Sequence, residues 1–417
     1  MKYDMVFEGG GAKGMVFVGA LQELEARGHV PGRLLGTSAG SIMATFLAAG
    51  YNAAEMAGAL NETRDGEPVF LGFLETPRTP SREAIQQSAF RDFLKEINLR
   101  FLPDALEEKL DDAIAFALAT SSRTIRVFSF LEWGGFYAAD NFLGWLKGKL
   151  NAGSYDLDGG AHRKGEPRNF GGMTLAEFYR ATGVDLSLVA ADTSDSHLLI
   201  LNHRTAPGCP LIYAVRMSMS LPLLWQEVVW QAEWGDYRGA VITGHTVVDG
   251  GMLSNFPIEL FLSGQPHVTA VMGEKTAADM NVVGFLIDET LDVPGAPMPL
   301  SESKAFGISQ LHMISRLKNL INTMTQAHDK SVIETSQRFV IRLPARGYGT
   351  IEFGMSDQRR EALIAAGRQA TAAYFDRMEA LQGAGTSFGS VEGGDSGDRE
   401  TITRSADRIA TRVLSRY

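Results

Sequence analysis

Met5-Val6-Phe7-Glu8-Gly9-Gly10-Gly11-Ala12-Lys13-Gly14 opens the first structural unit of the chain, and Arg33-Leu34-Leu35-Gly36-Thr37-Ser38-Ala39-Gly40 completes it. Met5-Val6-Phe7 is a short apolar run, the pattern of a buried strand. Three glycines break it. Between Lys13 and Arg27, Val16, Ala20 and Leu24 recur at helical spacing, with Glu23 and Glu25 on another face. Arg33-Leu34-Leu35 reads as a second short strand. Gly36 to Gly40 then turns into a helix of small and apolar residues, Ser41 to Ala49, stopped by Gly50. Strand, helix and strand joined by short loops predict a parallel βαβ unit with a right-handed crossover.

Gly9, Gly11 and Gly14 match G-x-G-x-x-G, the spacing of a dinucleotide site. That site also needs an acidic residue at the end of the second strand, where this chain has Gly36-Thr37-Ser38. A P-loop is excluded as well, because Lys13 is followed by Gly14 and not by Ser or Thr. What remains is the physics common to such loops. Glycines let backbone N–H groups converge on one spot, and the following helix dipole favours negative charge there. A hydrolase uses that spot as an oxyanion hole.

Gly36-Thr37-Ser38-Ala39-Gly40 is G-x-S-x-G, the pattern of a nucleophile elbow, in which small flanking residues allow a strained strand-to-helix turn to lift the serine hydroxyl. The other reading of Ser38 is a simple helix N-cap. Thr246-Val247-Val248 reads as a strand ended by Asp249-Gly250-Gly251. An aspartate there is either a turn residue or the base that a serine nucleophile needs within hydrogen-bond reach. The histidines are His29, His162, His197, His203, His245, His267, His312 and His328, and none sits in a small-residue motif after a strand. A Ser38–Asp249 dyad is the more economical reading.

The rest of the chain is organised around this unit. Ala53 to Arg180 reads as a mostly helical insertion, with amphipathic stretches at Phe90–Leu99 and Asp104–Thr120 and a further helix at Asp140–Leu150. Leu186–Ala191 and His197–Asn202 read as strands, and so do Val268–Met272 and Phe339–Leu343. Ser309–Thr335 and Asp357–Leu381 read as helices. Residues 382–398 are rich in Gly, Ser and Asp, the composition of a flexible linker. Residues 399–417 regain helical periodicity. Arg404, Arg408, Arg412 and Arg416 form one basic stripe on a helix with a thin apolar face, so the expectation is a helix tethered without being fixed, docking to a membrane or a partner protein.

Composition bounds the function. The chain has 417 residues, 45% hydrophobic and 21% charged, which suits one large α/β domain or two ordinary ones. A formal charge of −10 excludes nucleic acid as a main partner. Cys209 is the single cysteine, so no internal disulfide forms. Met1–Phe7 is too short and mixed for a secretory signal, and no apolar run approaches the roughly 20 residues of a membrane span. The expectation is a cytoplasmic protein, peripheral at a membrane when it works there. No His, Cys and Asp cluster has metal-ligand spacing, so no metal or organic cofactor is expected.

Taken together, these motifs resemble the bacterial patatin-like phospholipase family. The resemblance rests on the glycine loop Glu8–Gly14, the elbow Gly36–Gly40, and Asp249-Gly250-Gly251 followed by Asn255-Phe256-Pro257. It extends through Gly135–Asp140, Met173–Thr193, Ala214–Leu224 and Asp357–Tyr374, and so covers about residues 1–381. It implies a three-layer α/β fold with a mostly parallel central sheet, helices on both faces and a helical insertion. It implies that Ser38 is the nucleophile and Asp249 its base. It further implies an oxyanion loop over Gly9, Gly10, Gly11, Lys13 and Gly14, with Gly36 and Gly40 shaping the elbow. The implied reaction is hydrolysis of acyl esters in membrane phospholipids or lysophospholipids. A silent binding or regulatory protein of the same fold, and a transacylase, are the competing readings. Ser220-Leu221-Pro222-Leu223-Leu224-Trp225 is bulkier than the family's usual text, and Trp230–Thr246 reads as an added loop. Leu221–Trp230 is either core or an apolar lip beside the site.

Overall fold

The structure is a computed structural model that describes residues 1–92, 116–117, 119–121, 124–155, 165–275, 281–297, 336–383 and 396–414. Its centre is an eight-stranded sheet of β1 (Lys2–Phe7), β2 (Val30–Thr37), β3 (Leu186–Asp192), β4 (His197–Leu201), β5 (Val228–Val229), β6 (Thr246–Asp249), β7 (Val282–Asp288) and β8 (Val340–Pro344). Strands β3, β2, β1, β7 and β8 are parallel neighbours in that order. Antiparallel β4 and β6 both pair with β3, and β5 pairs with β6.

Side-chain alternation divides this sheet between two cores. Tyr3, Met5 and Phe7 of β1, Leu34 of β2, Leu188 and Ala190 of β3, and Val283, Phe285 and Ile287 of β7 enter one. Their neighbours Val6, Leu35, Val189, Val282 and Leu286 enter the other. A period of two with both faces apolar is the mark of a sheet covered on both sides. The first face carries α1 (Val16–Ala26), α2 (Ala39–Ala48), α3 (Leu211–Met219) and α4 (Asp357–Gly383). Helices α1 and α4 cross at two glycines. A Cβ on Gly19 would lie 1.8 Å from the Ile364 carbonyl oxygen, and one on Gly367 would lie 2.1 Å from that of Val16. Glycine is therefore what allows this crossing. The second face carries Glu259–Leu262, Pro266–Met272 and α5 (Ser396–Leu414).

The insertion is built onto the first core. Phe70, Phe73, Phe142 and Trp145 form a continuous ring cluster that reaches Phe46 of α2. Most of Phe90–Leu99 and Asp104–Thr120, and all of Ser309–Thr335, lie outside the described residues.

Two sequence expectations are corrected. Val268–Met272 belongs to a helix, Pro266–Met272, with proline at its first turn. The strand that pairs with β1 is instead β7, whose Val-Val-Gly-Phe-Leu-Ile run is buried throughout. The C-terminal helix is not loosely tethered. Ala406, Ala410 and Leu414 of α5 are buried, with Ile402, Ile409 and Val413 partly so, against the second core. Asp407 locks it in register by accepting from Ser263 Oγ at 2.6 Å, the Gly264 N–H at 2.9 Å and Gln265 Nε2 at 3.1 Å. Arg404, Arg408 and Arg412 face solvent. The face reads as thin because alanines make it: they add little apolar area but permit close approach.

Ala410→Glu places a carboxylate in that contact, a loss on the order of 2 kcal/mol or more. Calorimetry should show a lower melting temperature for Ala410→Glu and an unchanged one for the solvent-side Arg408→Glu. Equal melting of wild type and Ala410→Glu would mean that α5 is not part of the cooperative fold.

Candidate active site

Strand β3 brings the two candidate residues together. Along one edge β4 pairs with Leu188 to Asp192. The other edge is shared. Strand β2 occupies it up to Thr37, opposite Val189, and antiparallel β6 occupies it from Asp249, opposite Ala190, onward. Two strands therefore meet end to end on one edge, with their C-terminal ends facing. Ser38 follows Thr37 and Asp249 ends β6, so register alone sets the serine against the carboxylate.

Ser38 has φ 53 and ψ −120, a backbone that only a tightly supported turn holds in a non-glycine residue. Two glycines make the support possible. A Cβ on Gly36 would stand 2.3 Å from the Gly40 carbonyl oxygen, and one on Gly40 would stand 2.3 Å from that of Phe7. The Ser38 N–H donates to Ser218 Oγ at 3.0 Å, and its carbonyl accepts from the Ser41 N–H and, at 2.6 Å, from Ser41 Oγ. Ser38 occupies the N-cap position of α2, yet its side chain makes no capping bond. Its hydroxyl is therefore not spent on the cap.

Asp249 is 1% exposed. Its N–H donates to the Ser220 carbonyl at 2.9 Å and its Oδ1 accepts from the Gly251 N–H at 2.8 Å. Its Oδ2 has no formed hydrogen bond. Burial pushes its pKa from the ordinary 3.8 up to about 7, against the opposing pull of the Ser38 hydroxyl and the Gly251 amide. The Ser38 hydroxyl is thus close enough to bias the carboxylate without being locked onto it.

The glycine loop is braced from three sides. Glu8 accepts from Asn255 Nδ2 at 3.1 Å and from the Ile287 N–H at 2.5 Å. Asn255 Nδ2 also donates to the Gly9 carbonyl at 2.9 Å, while the Gly9 N–H returns to the Asn255 carbonyl at 3.3 Å. The Ala12 N–H donates to the Thr350 carbonyl at 2.8 Å. These bonds use the amides of Gly9 and Ala12 and leave those of Gly10 and Gly11 without an acceptor among the described residues. Gly11 has φ +56, and a Cβ there would sit 2.1 Å from Thr350 O. Gly14 packs against Ala39, 3.0 Å from where its Cβ would lie. Lys13 departs from the expected oxyanion role. Its N–H donates to the Gly10 carbonyl at 3.2 Å, and its ammonium is paired with Glu289, so neither group is available to a substrate oxygen.

Ser38 opens into one cavity with an empty volume of about 840 Å³, open solvent at its mouth included. Gly11, Ala12 and Gly14 form one wall, Met43, Leu60, Phe73 and Phe142 another, and Leu221 and Trp225 a third. The insertion thus supplies much of the apolar lining, and of Leu221–Trp230 only Leu221 and Trp225 line the cavity, while Trp225, Val228 and Trp230 are part of the main core. Glu352, Phe353, Met355 and Arg360 complete it. Sequence reading missed this last group, which carries no motif and lies more than 300 residues from Ser38 along the chain. Trp230, Trp234 and Tyr237 of the presumed added loop are buried in the main core.

No histidine lines this cavity among the described residues. His245 Nδ1 is 2.7 Å from Asp192 Oδ2, and His29 packs edge-on against Tyr3 and at a tilt against Phe375. His203 lies flat on Tyr179 at 3.6 Å, where burial lowers its pKa to about 4. His162, His312 and His328 lie outside the described residues.

With this geometry in hand, comparison with known proteins gives a family. The model of patatin-like phospholipases matches residues 5–262, and the chain belongs to that family. It is 26% identical over 382 residues to the uncharacterized protein YqhO of Bacillus subtilis, an alignment covering 89% of this chain and 97% of that one. Among solved structures it is similar to VipD from Legionella pneumophila, with 16% identity and a TM-score of 0.45 over 90% of this chain and 67% of VipD. It is also similar to the type III secretion protein ExoU from Pseudomonas aeruginosa, with 14% identity and a TM-score of 0.36, and spans about half of that chain (52%).

Two outcomes follow from the buried carboxylate. An Asp249 that titrates near 7 must lose its proton to act as a base. The pH profile of kcat/KM on a soluble ester should therefore rise through an acid limb near pH 7; a limb near pH 4 would mean that the carboxylate is solvated. The stability effect has the opposite sense. The folded chain holds a proton on Asp249 that the unfolded chain releases above its ordinary 3.8, so this stabilisation is present at low pH and lost as pH rises through about 7. Asp249→Asn should gain stability relative to wild type between pH 4 and 8, by on the order of a few kcal/mol. Parallel denaturation curves at the two pH values would contradict this.

Proposed function

We propose that this chain hydrolyses acyl esters of membrane glycerophospholipids or lysophospholipids, with Ser38 as nucleophile, Asp249 as general base and the Gly10 and Gly11 amides as oxyanion donors. The observation that carries the reading is one juxtaposition. A strained serine whose hydroxyl is not spent on capping its helix lines an apolar cavity together with Gly11, a fully buried aspartate feels that hydroxyl, and the Gly10 and Gly11 amides are unengaged among the described residues.

The chemistry follows from the placement. Ser38 Oγ attacks the ester carbonyl carbon and its proton passes to the Asp249 carboxylate. The carbonyl oxygen gathers negative charge, which the Gly10 and Gly11 N–H groups stabilise without reorganising. The intermediate collapses by breaking the bond to the alcohol oxygen, and that oxygen takes the proton from Asp249. The lysolipid or glycerol phosphodiester leaves, and the acyl group stays on Ser38 as an ester. A water then attacks the acyl carbon as Asp249 accepts its proton. Collapse returns that proton to Ser38 Oγ and frees the fatty acid. A base poised near neutral pH suits both half-reactions. The apolar walls from the insertion suit a fatty-acyl chain, and a cytoplasmic protein so equipped meets its substrate at a membrane surface.

Ser38→Ala and Asp249→Ala should each lower ester hydrolysis on the order of 10³-fold or more. A single histidine-to-alanine change should cost no more than about tenfold, below the usual contribution of a general base. Lipid mass spectrometry of cells making wild type beside Ser38→Ala should show fatty acid and lysolipid rising only with wild type. Identical lipid profiles would contradict the hydrolase reading. Acyl transfer to an added alcohol in place of water would favour the transacylase reading.

A further inference from the structure

We infer that Arg359 is a positioning residue for the oxyanion hole, acting through a clamped loop, residues 345–356, that lies beyond the stretch matched by the family model. The inference rests on the hydrolase reading above and extends it to a part of the chain with no motif.

The loop touches the site in two ways. Thr350 presents its carbonyl to the Ala12 N–H at 2.8 Å, directly against Gly11. That bond fixes the plane of the Gly11–Ala12 peptide. Only the two dihedrals of Gly11, φ +56 and its ψ, separate that plane from the preceding peptide, which carries the Gly11 N–H, so a shift of the bond turns that N–H as well. Glu352, Phe353 and Met355 line the same cavity as Ser38. A shift of this loop would therefore re-aim an oxyanion donor and reshape a cavity wall together.

Arg359 holds the loop in place. It sits in the first turns of α4, with its side chain 5% exposed. Nε donates to Glu352 Oε1 at 2.7 Å and one terminal nitrogen donates to Oε2 at 3.1 Å, a bidentate pair. That same nitrogen donates to the Gly347 carbonyl at 2.8 Å, and the other donates to that of Pro297 at 3.1 Å. The guanidinium lies 4.0 Å from the centre of the Tyr348 ring, whose hydroxyl donates to the Arg359 carbonyl at 2.9 Å. Glu352 Oε2 also accepts from the Gly349 N–H at 2.9 Å. Arg359 thus ties Gly347, Tyr348 and Glu352 to helix α4, Glu352 in turn holds Gly349, and Thr350 lies between them. Lysine cannot reproduce this, since its ammonium lacks the planar fork. Oxyanion stabilisation depends steeply on donor placement, so loosening the clamp lowers turnover more than substrate binding.

The test measures kcat and KM on a soluble short-chain ester for Arg359→Met, Arg359→Lys, Glu352→Gln and the double variant Arg359→Met/Glu352→Gln. Values are taken per active site, counted by end-point labelling of Ser38 with a fluorophosphonate. The expected result is a kcat at least tenfold lower for Arg359→Met, KM changed much less, and the acid limb near pH 7 unmoved because Asp249 is untouched. Glu352→Gln should lose a smaller factor, and the double variant no more than Arg359→Met alone, as for two halves of one device. Should Arg359→Met fail to fold, Arg359→Lys and Glu352→Gln carry the same comparison. A kcat per labelled site within about twofold of wild type in folded variants would overturn the inference, as would additive losses. Ser38→Ala is the separate control: hydrolysis surviving in that variant would sink the hydrolase reading itself.

Discussion

The sharing of one edge of β3 by two strands is the constraint on which the site depends. Because β2 ends opposite Val189 and antiparallel β6 ends opposite Ala190, a serine and an aspartate from distant parts of the sequence are held face to face by backbone register. Neither needs a side-chain network to aim it. The same arrangement buries the carboxylate, and that burial is what raises its pKa towards neutrality. A solvated aspartate would be too weak a base for a serine hydroxyl. Position and basicity thus have one cause.

The arrangement is costly. Ser38 holds a backbone worth about 1–3 kcal/mol of strain, and Asp249 keeps one oxygen without a formed hydrogen bond in a buried place. The surroundings offset this through close packing that only glycine permits. Gly36 and Gly40 let α2 start against β1, and Gly19 and Gly367 let α4 lie on α1. Because α4 carries Arg359, the same close packing that stabilises the fold supports the loop behind the proposed oxyanion donors. Stability and the candidate chemistry are linked through that helix.

Sequence reading found what is local and missed what is distant. The glycine loop, the elbow and Asp249-Gly250-Gly251 were legible because each is a backbone conformation that small residues must encode within a few positions. Strand β7 was not read, because a continuous apolar run has no period to separate a buried strand from a buried helix. Pro266–Met272 was misread for the same reason, although Pro266 is a sign of a helix start. The tail was misread because alanines at 406 and 410 look like a weak apolar face when counted by hydrophobicity, and act as a close contact in the structure. Lys13 drew attention by its place in the loop, yet only the fold brings Glu289 beside it. Thr350 carried no signal, since its partner is a backbone amide, and Arg359 carried only its place in the family-like stretch Asp357–Tyr374, which does not reveal the loop atoms it holds.

The central claim is that an acyl group passes through Ser38. The most direct measurement is rapid-quench mass spectrometry of the protein during turnover of an activated short-chain ester at a pH below the acid limb, where deacylation is slowed. The account predicts a mass increase equal to the acyl group, mapped by peptide fragmentation to Ser38 and absent from Ser38→Ala. Turnover that continues with no adduct on Ser38, or with the adduct on another residue, would contradict it.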